Sequence, residues 1–471
     1  MVFNTLTFVV FFAIVVAVHA LPLGWTTRKV NLLIASYVFY AAWNPPFIFL
    51  LWISTIVDWY AAQGLVRAER PSTRRAWMLL SVVANLGMLL YFKYGAFLLH
   101  NFIALMATIG VDYHAPAIDI VLPVGISFYT FATMSYTLDV YLRRALPARN
   151  FLDYALFVTF FPHLVAGPIM RPTELVPQFE TPKRATVQQL CFGLGLMTLG
   201  LFNKVVIADT FLSGAAERVF DRGKMPGLLD AWTGTLAFSG QIFCDFAGYS
   251  TTAIGAALCL GFKMPDNFRF PYAAVGFSDF WRRWHITLSS WLRDYLYIPL
   301  GGNRHGPART NIALITTMLL GGLWHGANWT FMVWGGLHGS YLIAERGLRA
   351  RLSNYRPGPW ALFGLGLLTY ALINVTWVFF RAKTFTTAGH VLRGMAGFNA
   401  DAKPILPTVF LAAVAAITPA LVAAHWYMRD RTLESVVARV PPMVIGLIWG
   451  LMAFAIVISQ GEGNAFIYFQ F

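Results

Sequence analysis

His325 sits in Leu-Trp-His-Gly-Ala-Asn-Trp (323–329), near the middle of a segment, Thr310 to Ala344, that holds no Asp, Glu, Lys or Arg. An ionisable imidazole in so apolar a stretch is costly, and such residues usually line a cavity or a pathway. Histidine titrates near neutral pH, which suits it to moving a proton during a reaction. His325 therefore points to general base chemistry within a membrane, against the alternative of a structural histidine capping a broken helix. A second histidine, His285, lies in Phe-Ser-Asp-Phe-Trp-Arg-Arg-Trp-His-Ile-Thr-Leu-Ser-Ser-Trp-Leu-Arg-Asp-Tyr-Leu-Tyr-Ile-Pro-Leu-Gly (277–301). Spacing alone favours a satisfied structural histidine there, since single buried histidines are often structural.

Other polar residues in apolar runs are weaker candidates. His338, in Gly-Gly-Leu-His-Gly, reads as packing or support, and His163, in Phe-Pro-His-Leu-Val-Ala-Gly-Pro, has no clear partner. Asp245 is an intramembrane carboxylate with two open readings: it orients a histidine, or it pairs with a buried Lys or Tyr. Cys244 reads as an inert buried thiol, because no flanking base is present to lower its pKa. Arg171 reads as a membrane-flank arginine. The three cysteines, Cys191, Cys244 and Cys259, give no disulfide framework and no metal-ligand spacing, so no metal site is expected.

These residues need a membrane scaffold to hold them, and the composition supplies one. The 471 residues are 58% hydrophobic and 12% charged, with a mean hydropathy of +0.60. Soluble domains average about 25% charged residues, so the chain is a polytopic membrane protein. The net charge of +14 is carried by arginines in short loops, where membrane orientation explains it and nucleic acid does not. Candidate spans are 5–22, 30–44, 46–65, 76–98, 118–141, 151–168, 187–208, 229–261, 310–345, 360–380, 404–425 and 441–460. Given their uneven lengths, an all-α fold of roughly eleven spans plus re-entrant and interfacial helices is expected, as one membrane domain over 1–471. The first span has no basic region before it and reads as retained rather than cleaved.

Loop charge orients the spans. Arg28 and Lys29, then Arg67, Arg70, Arg74 and Arg75, then Arg143, Arg144 and Arg149 mark alternate loops as cytoplasmic, with the N-terminus outside. The basic loop 381–403 breaks the alternation. A continuous helix over 310–344 would run about 50 Å, beyond the roughly 30 Å hydrocarbon core. Gly321, Gly322, Gly326 and Asn328 supply a break, which predicts a bent pair of short helices with His325 near the turn. Over 277–301 an interfacial helix is expected, with Trp281, His285, Leu288, Leu292 and Leu296 on one stripe and Arg283, Thr287, Ser290 and Asp294 opposite.

The two histidine motifs together resemble the membrane-bound O-acyltransferase superfamily. Leu-Pro-Val-Gly-Ile-Ser-Phe-Tyr-Thr-Phe (122–131), Phe-Phe-Pro-His-Leu-Val-Ala-Gly-Pro-Ile (160–169), Lys-Val-Val-Ile-Ala-Asp (204–209), Asp-Phe-Ala-Gly-Tyr-Ser (245–250) and the terminal Phe-Ile-Tyr-Phe-Gln-Phe are similar to its bacterial alginate and polysaccharide O-acetyltransferase branch. The resemblance implies a ring of helices around a tunnel joining cytoplasm to exterior. It implies that His325 is catalytic and His285 a second important residue nearby. It also implies an inner-membrane enzyme that passes an acyl group to an exported polymer, with periplasmic partners of the SGNH-hydrolase type. One departure stands out. The family's Phe-Ser-Gly-Tyr-Ser-Asp appears here as Phe-Ala-Gly-Tyr-Ser-Thr (246–251), so no acidic role carries over to position 251.

The expected chemistry is O-acetyl transfer from a cytoplasmic acyl thioester, such as acetyl-coenzyme A, to an exported polysaccharide such as alginate. No bound cofactor is expected, and the surroundings are lipid. Trp324, Trp329, Asn328 and backbone amides near Gly326 are candidate oxyanion donors. Arg282, Arg283 and Arg293 at the cytoplasmic mouth are candidates to attract an anionic donor, with His338, Asp245 and Asp294 in support. The rivals are a transporter of lipid-linked sugars, a transferase of D-alanine or a longer acyl chain, and a catalytically silent scaffold. Transporters commonly show repeated halves, and no repeat is visible in this sequence.

Overall fold

The computed structural model describes residues 1–115, 120–352, 354 and 356–459, and no strand occurs among them. Six helical stretches of the described residues are long and apolar enough to cross a membrane: Pro45–Arg67, Pro71–Thr108, Val187–Phe220, Leu228–Cys259, Pro359–Arg381 and Thr408–Met428. Leu6–Ala20 and Pro442–Ile458 are shorter apolar helices. The protein is thus an all-α, multi-pass membrane protein, though a count of eleven spans does not follow from these helices. Expected span 151–168 is divided into Phe151–Thr159 and Phe161–Leu164. Pro162 explains the division, because its ring nitrogen cannot donate to the preceding turn. The motif at 466–471 and residues 118–119 of an expected span lie outside the described residues.

The chain forms two compact units, Met1–Met197 with Ala253–Pro265, and Thr198–Thr252 with Asp266–Phe471. The first unit buries a polar network among helices Ile48–Arg67, Pro71–Leu89 and Ile126–Tyr141. Asn85 Nδ2 donates to Asp58 Oδ2 at 2.7 Å, the Thr137 hydroxyl donates to Asp58 Oδ1 at 3.2 Å, and Ser54 donates to Asn85 Oδ1 at 2.6 Å. Each polar group has a partner, as burial requires. Lys29 and Asp153 form a buried ion pair in the same unit.

The second unit holds an aromatic core that includes Phe238, Trp284, Trp334, Trp377 and Phe380. Its most informative element is a helical hairpin, Gly306–His325 followed by Trp329–Arg351. The break expected near His325 is present, but the arms are not short. At 20 and 23 residues they run about 30 and 35 Å. The uncharged stretch understated them because both helices continue past it, through Arg309 on one arm and Glu345, Arg346 and Arg349 on the other. The arms touch through glycine. A Cβ at Gly322 would lie 2.2 Å from the Phe331 carbonyl oxygen, and one at Gly335 would lie 2.2 Å from that of Met318. Gly335 and Gly339 repeat at the four-residue spacing by which membrane helices approach closely.

The segment 277–301 is not one continuous helix. It consists of Phe277–Trp281, Ile286–Leu292 and a π-helical turn, Arg293–Tyr297. His285 stands at the break in the left-handed region, with φ 43° and ψ 56°. The break interrupts the expected stripe without removing it: His285, Leu288 and Leu292 are buried, while Arg283, Ser290 and Asp294 opposite are only partly so. Trp284 and Thr287 are buried, while Trp281 is only partly so.

Candidate active site

The first arm of the hairpin ends at His325, and the three residues 326–328 turn the chain into the second arm. Gly326 permits the turn, since a Cβ there would meet the Phe331 ring at 2.1 Å. Asn328 caps the second arm: its Oδ1 accepts from Thr330 N at 3.0 Å, and its Nδ2 donates to Lys383 O at 3.1 Å. An N-cap asparagine satisfies a first-turn N–H in this way. The Asn328 amide is therefore occupied on both sides by backbone. Trp329, the first residue of the second arm, is 52% exposed.

His325 is buried, and its ring is walled by aromatic groups. Ring centroids stand 5.0 Å away for Trp324 and for Trp334, and 5.3 Å for Phe380. The His285 centroid is 6.5 Å from that of His325, and Trp324 lies against both histidines. The two motifs thus meet, with their imidazoles close enough for one small reacting group to approach both.

Asn267 fixes His285. Its Oδ1 takes Thr287 N–H at 3.3 Å, and a backbone N–H can only donate, so the amide orientation is settled by that contact. The same oxygen accepts from the Thr287 hydroxyl at 2.8 Å and faces His285 Nδ1 at 3.0 Å. Nδ1 therefore carries the proton and Nε2 the lone pair. Asn267 Nδ2 donates to Ser250 at 3.1 Å, and its carbonyl accepts from Ile286 N at 2.9 Å. Burial pushes the His285 imidazole down to about 3, so it is neutral in the physiological range.

His338, on the second arm, is fully buried against Trp334, with centroids 4.7 Å apart, and against Trp281 at 5.1 Å. The Thr376 hydroxyl gives its proton to Ile373 O at 2.7 Å, so it accepts from His338 Nε2–H at 3.0 Å. Trp334 stands between His338 and His325 and links the support to the site.

The remaining predicted residues make other contacts. Asp245 pairs with Lys204 at 2.5 Å, the second of its two readings. Lys204 also reaches Asp209 at 2.9 Å, because the π-helical stretch Phe202–Leu212 brings residues five apart onto one face. Arg282 is exposed, and Arg293 holds its own neighbour Asp294 at 2.7 Å. Arg283 is tied to Asp279 at 3.0 Å, and Arg429 reaches the same carboxylate at 3.1 Å. Cys244 is buried. His163, in the first unit, contacts the Phe157 carbonyl at 3.0 Å through Nε2.

Sequence reasoning missed Asn267, Thr287, Trp334, Thr376 and Phe380. The Asn-cap signature before Trp329 was readable and would have reassigned Asn328. Asn267 gives no such signal, since its partners come from a separate segment of the chain.

Comparison with known proteins identifies the family. The family model for MBOAT, the membrane-bound O-acyltransferase family, matches residues 142–380, which include all three of these histidines. A probable alginate O-acetylase AlgI of Pseudomonas putida is 42% identical over 381 residues, covering 80% of this chain and 76% of that protein. A peptidoglycan O-acetyltransferase of Helicobacter pylori is 38% identical over 397 residues, covering 79% and 74%. A teichoic acid D-alanyltransferase of Bacillus subtilis is 28% identical over 240 residues, covering 48% and 59%. With its paired histidine motifs gathered in one aromatic pocket, the chain belongs to the membrane-bound O-acyltransferase family.

Proposed function

We propose that this acyltransferase acetylates an exported polysaccharide, with His325 as general base. In this reading the acceptor hydroxyl attacks the carbonyl of an acyl thioester while His325 takes its proton. A C–O bond forms, the C–S bond breaks, and the proton leaves with the thiolate. The observation that carries the reading is the meeting of His325 and His285 at 6.5 Å in a buried aromatic pocket. The relatives named alginate O-acetylase and peptidoglycan O-acetyltransferase support the acetyl group and the polymer acceptor.

The negative charge developing on the carbonyl oxygen needs donors in a dry site. With Asn328 committed to capping and Trp329 exposed, the Trp324 indole and backbone amides near Gly326 are the stronger choices. Trp334 joins them, as its buried indole N–H has no acceptor among the described residues. The donor is a cytoplasmic thioester such as acetyl-coenzyme A. The protein sits in the bacterial inner membrane with its N-terminus periplasmic, and SGNH-type periplasmic proteins complete the transfer to polymer. His285, held by Asn267, supports the reacting group from the facing side.

Two experiments test this. Purified protein given acetyl-coenzyme A labelled on the acetyl group is expected to release free thiol and pass label to acceptor or water. Intact thioester, together with movement of lipid-linked sugar across vesicles, would instead identify a transporter. Separately, Asn267→Ala is expected to lower the transfer rate by about 100-fold, since a misplacement of about 1 Å costs that much. Asn267→Asp keeps the acceptor for Nδ1–H and should retain more activity. Equal rates for the two variants would remove Asn267 from the positioning of His285.

A further inference from the structure

In the first unit, helices Leu6–Ala20 and Trp25–Ala41 enclose a groove of about 360 Å³. Its walls are apolar, built from Phe11, Ile14, Val15, Val18, Leu32 and Ala35. Its end is not. Arg28 and His19 both line it, and both are buried. Arg28 Nη2 donates to the Leu21 carbonyl at 2.8 Å, and Arg184 Nη2 approaches the same carbonyl at 3.4 Å. Two guanidinium groups thus converge on one oxygen.

Among the described residues no carboxylate lies within ion-pairing distance of either arginine. Arg28 is 5% exposed, and its Nε has no acceptor among the described residues. Its neighbour Lys29, by contrast, has Asp153. A buried cation without a counter-charge is unfavourable, and the exposed Arg184 guanidinium converging on the same oxygen adds to the cost. The helix carrying Arg28 opens at Trp25 after Gly24, which offers no side-chain cap. Its first-turn N–H groups and positive dipole end favour an anion at the same place.

We propose that this groove binds an anionic phospholipid, with the phosphate on Arg28 and Arg184 and one acyl chain along the apolar walls. The planar guanidinium fork matches phosphate oxygens, and basic sites between membrane helices take anionic headgroups. The length of apolar wall behind the arginines selects a lipid over a free anion. His19, beside the headgroup, adds a further polar contact, and Lys183 borders Arg184 in sequence.

The test uses the full chain in detergent micelles and in nanodiscs. Dioleoylphosphatidylglycerol is expected to bind saturably at one equivalent by native mass spectrometry and to raise the thermal midpoint. Dioleoylphosphatidylcholine is expected to do neither. Inorganic phosphate and glycerol phosphate should give no comparable shift. Equal effects of the two lipids, or equal effects of phosphate alone, would overturn the proposal. That comparison needs no variant. Arg184→Gln, at an exposed position, is expected to weaken phosphatidylglycerol binding about fivefold, and the Arg28→Gln, Arg184→Gln pair about 25-fold. Ala35→Trp, which fills the groove and spares the arginines, should weaken binding comparably. Unchanged affinity in Arg184→Gln or in Ala35→Trp would also overturn it.

Discussion

Replacing His325 by Ala is expected to lower acyl transfer by about 10²–10⁴-fold, the range that general base catalysis usually contributes. The argument starts from position. His325 ends one arm of the hairpin, lies buried, and faces His285 across 6.5 Å. Asn328, a polar neighbour, is occupied with Thr330 and Lys383. Trp324, Trp334 and Phe380 supply walls and no proton acceptor. Because the walls persist without the imidazole, the variant should remain folded. His325→Gln, closer in volume, separates loss of the base from loss of packing. The measurement is the initial rate of label transfer in membranes at matched protein level, alongside a thermal melt. Full acylation by His325→Ala would make the protein a scaffold for another transferase.

The second large effect concerns the hairpin's seam. Gly335→Ala is expected to destabilise the fold by about 3 kcal/mol, the upper part of the range for overpacking, and to abolish most activity. Its Cβ would stand 2.2 Å from the Met318 carbonyl oxygen, and backbone cannot rotate aside as a side chain can. The arms would have to part next to Trp334, which walls His325. Gly336→Ala provides the internal control. One residue along, its Cβ would meet only Leu319 Cδ2 at 3.5 Å, an ordinary contact. Thermal unfolding of the two variants in one detergent decides the matter: similar midpoints would mean that the seam tolerates a methyl group.

Much of the site was legible because membranes make simple demands. The absence of charge from Thr310 to Ala344, with glycines in its middle, announced both the hairpin's break and the cost of His325. The arm lengths were misjudged because the boundary of an apolar stretch is not the boundary of a helix. Backbone hydrogen bonding carries the second arm on to Arg351. His285 was harder. Helical periodicity set it on the buried side with Leu288 and Leu292, but periodicity assumes an unbroken helix and gives no sign of the left-handed residue that interrupts it. Asn267 and Thr376 were silent, since each acts through a partner in a separate segment of the chain. Lys204 and Asp245 were visible in separate motifs, but their pairing comes from the packing of two segments distant in sequence.

The backbone at His285 has a consequence for how this position changes over generations. A residue with a Cβ held in the left-handed region costs roughly 1–2 kcal/mol, which glycine avoids and asparagine tolerates better. Selection for stability alone would therefore push position 285 toward Gly or Asn. With the role proposed for His285, its imidazole persists only while function outweighs that pull, which makes the identity of residue 285 a gauge, readable across lineages, of whether the enzyme is still being used.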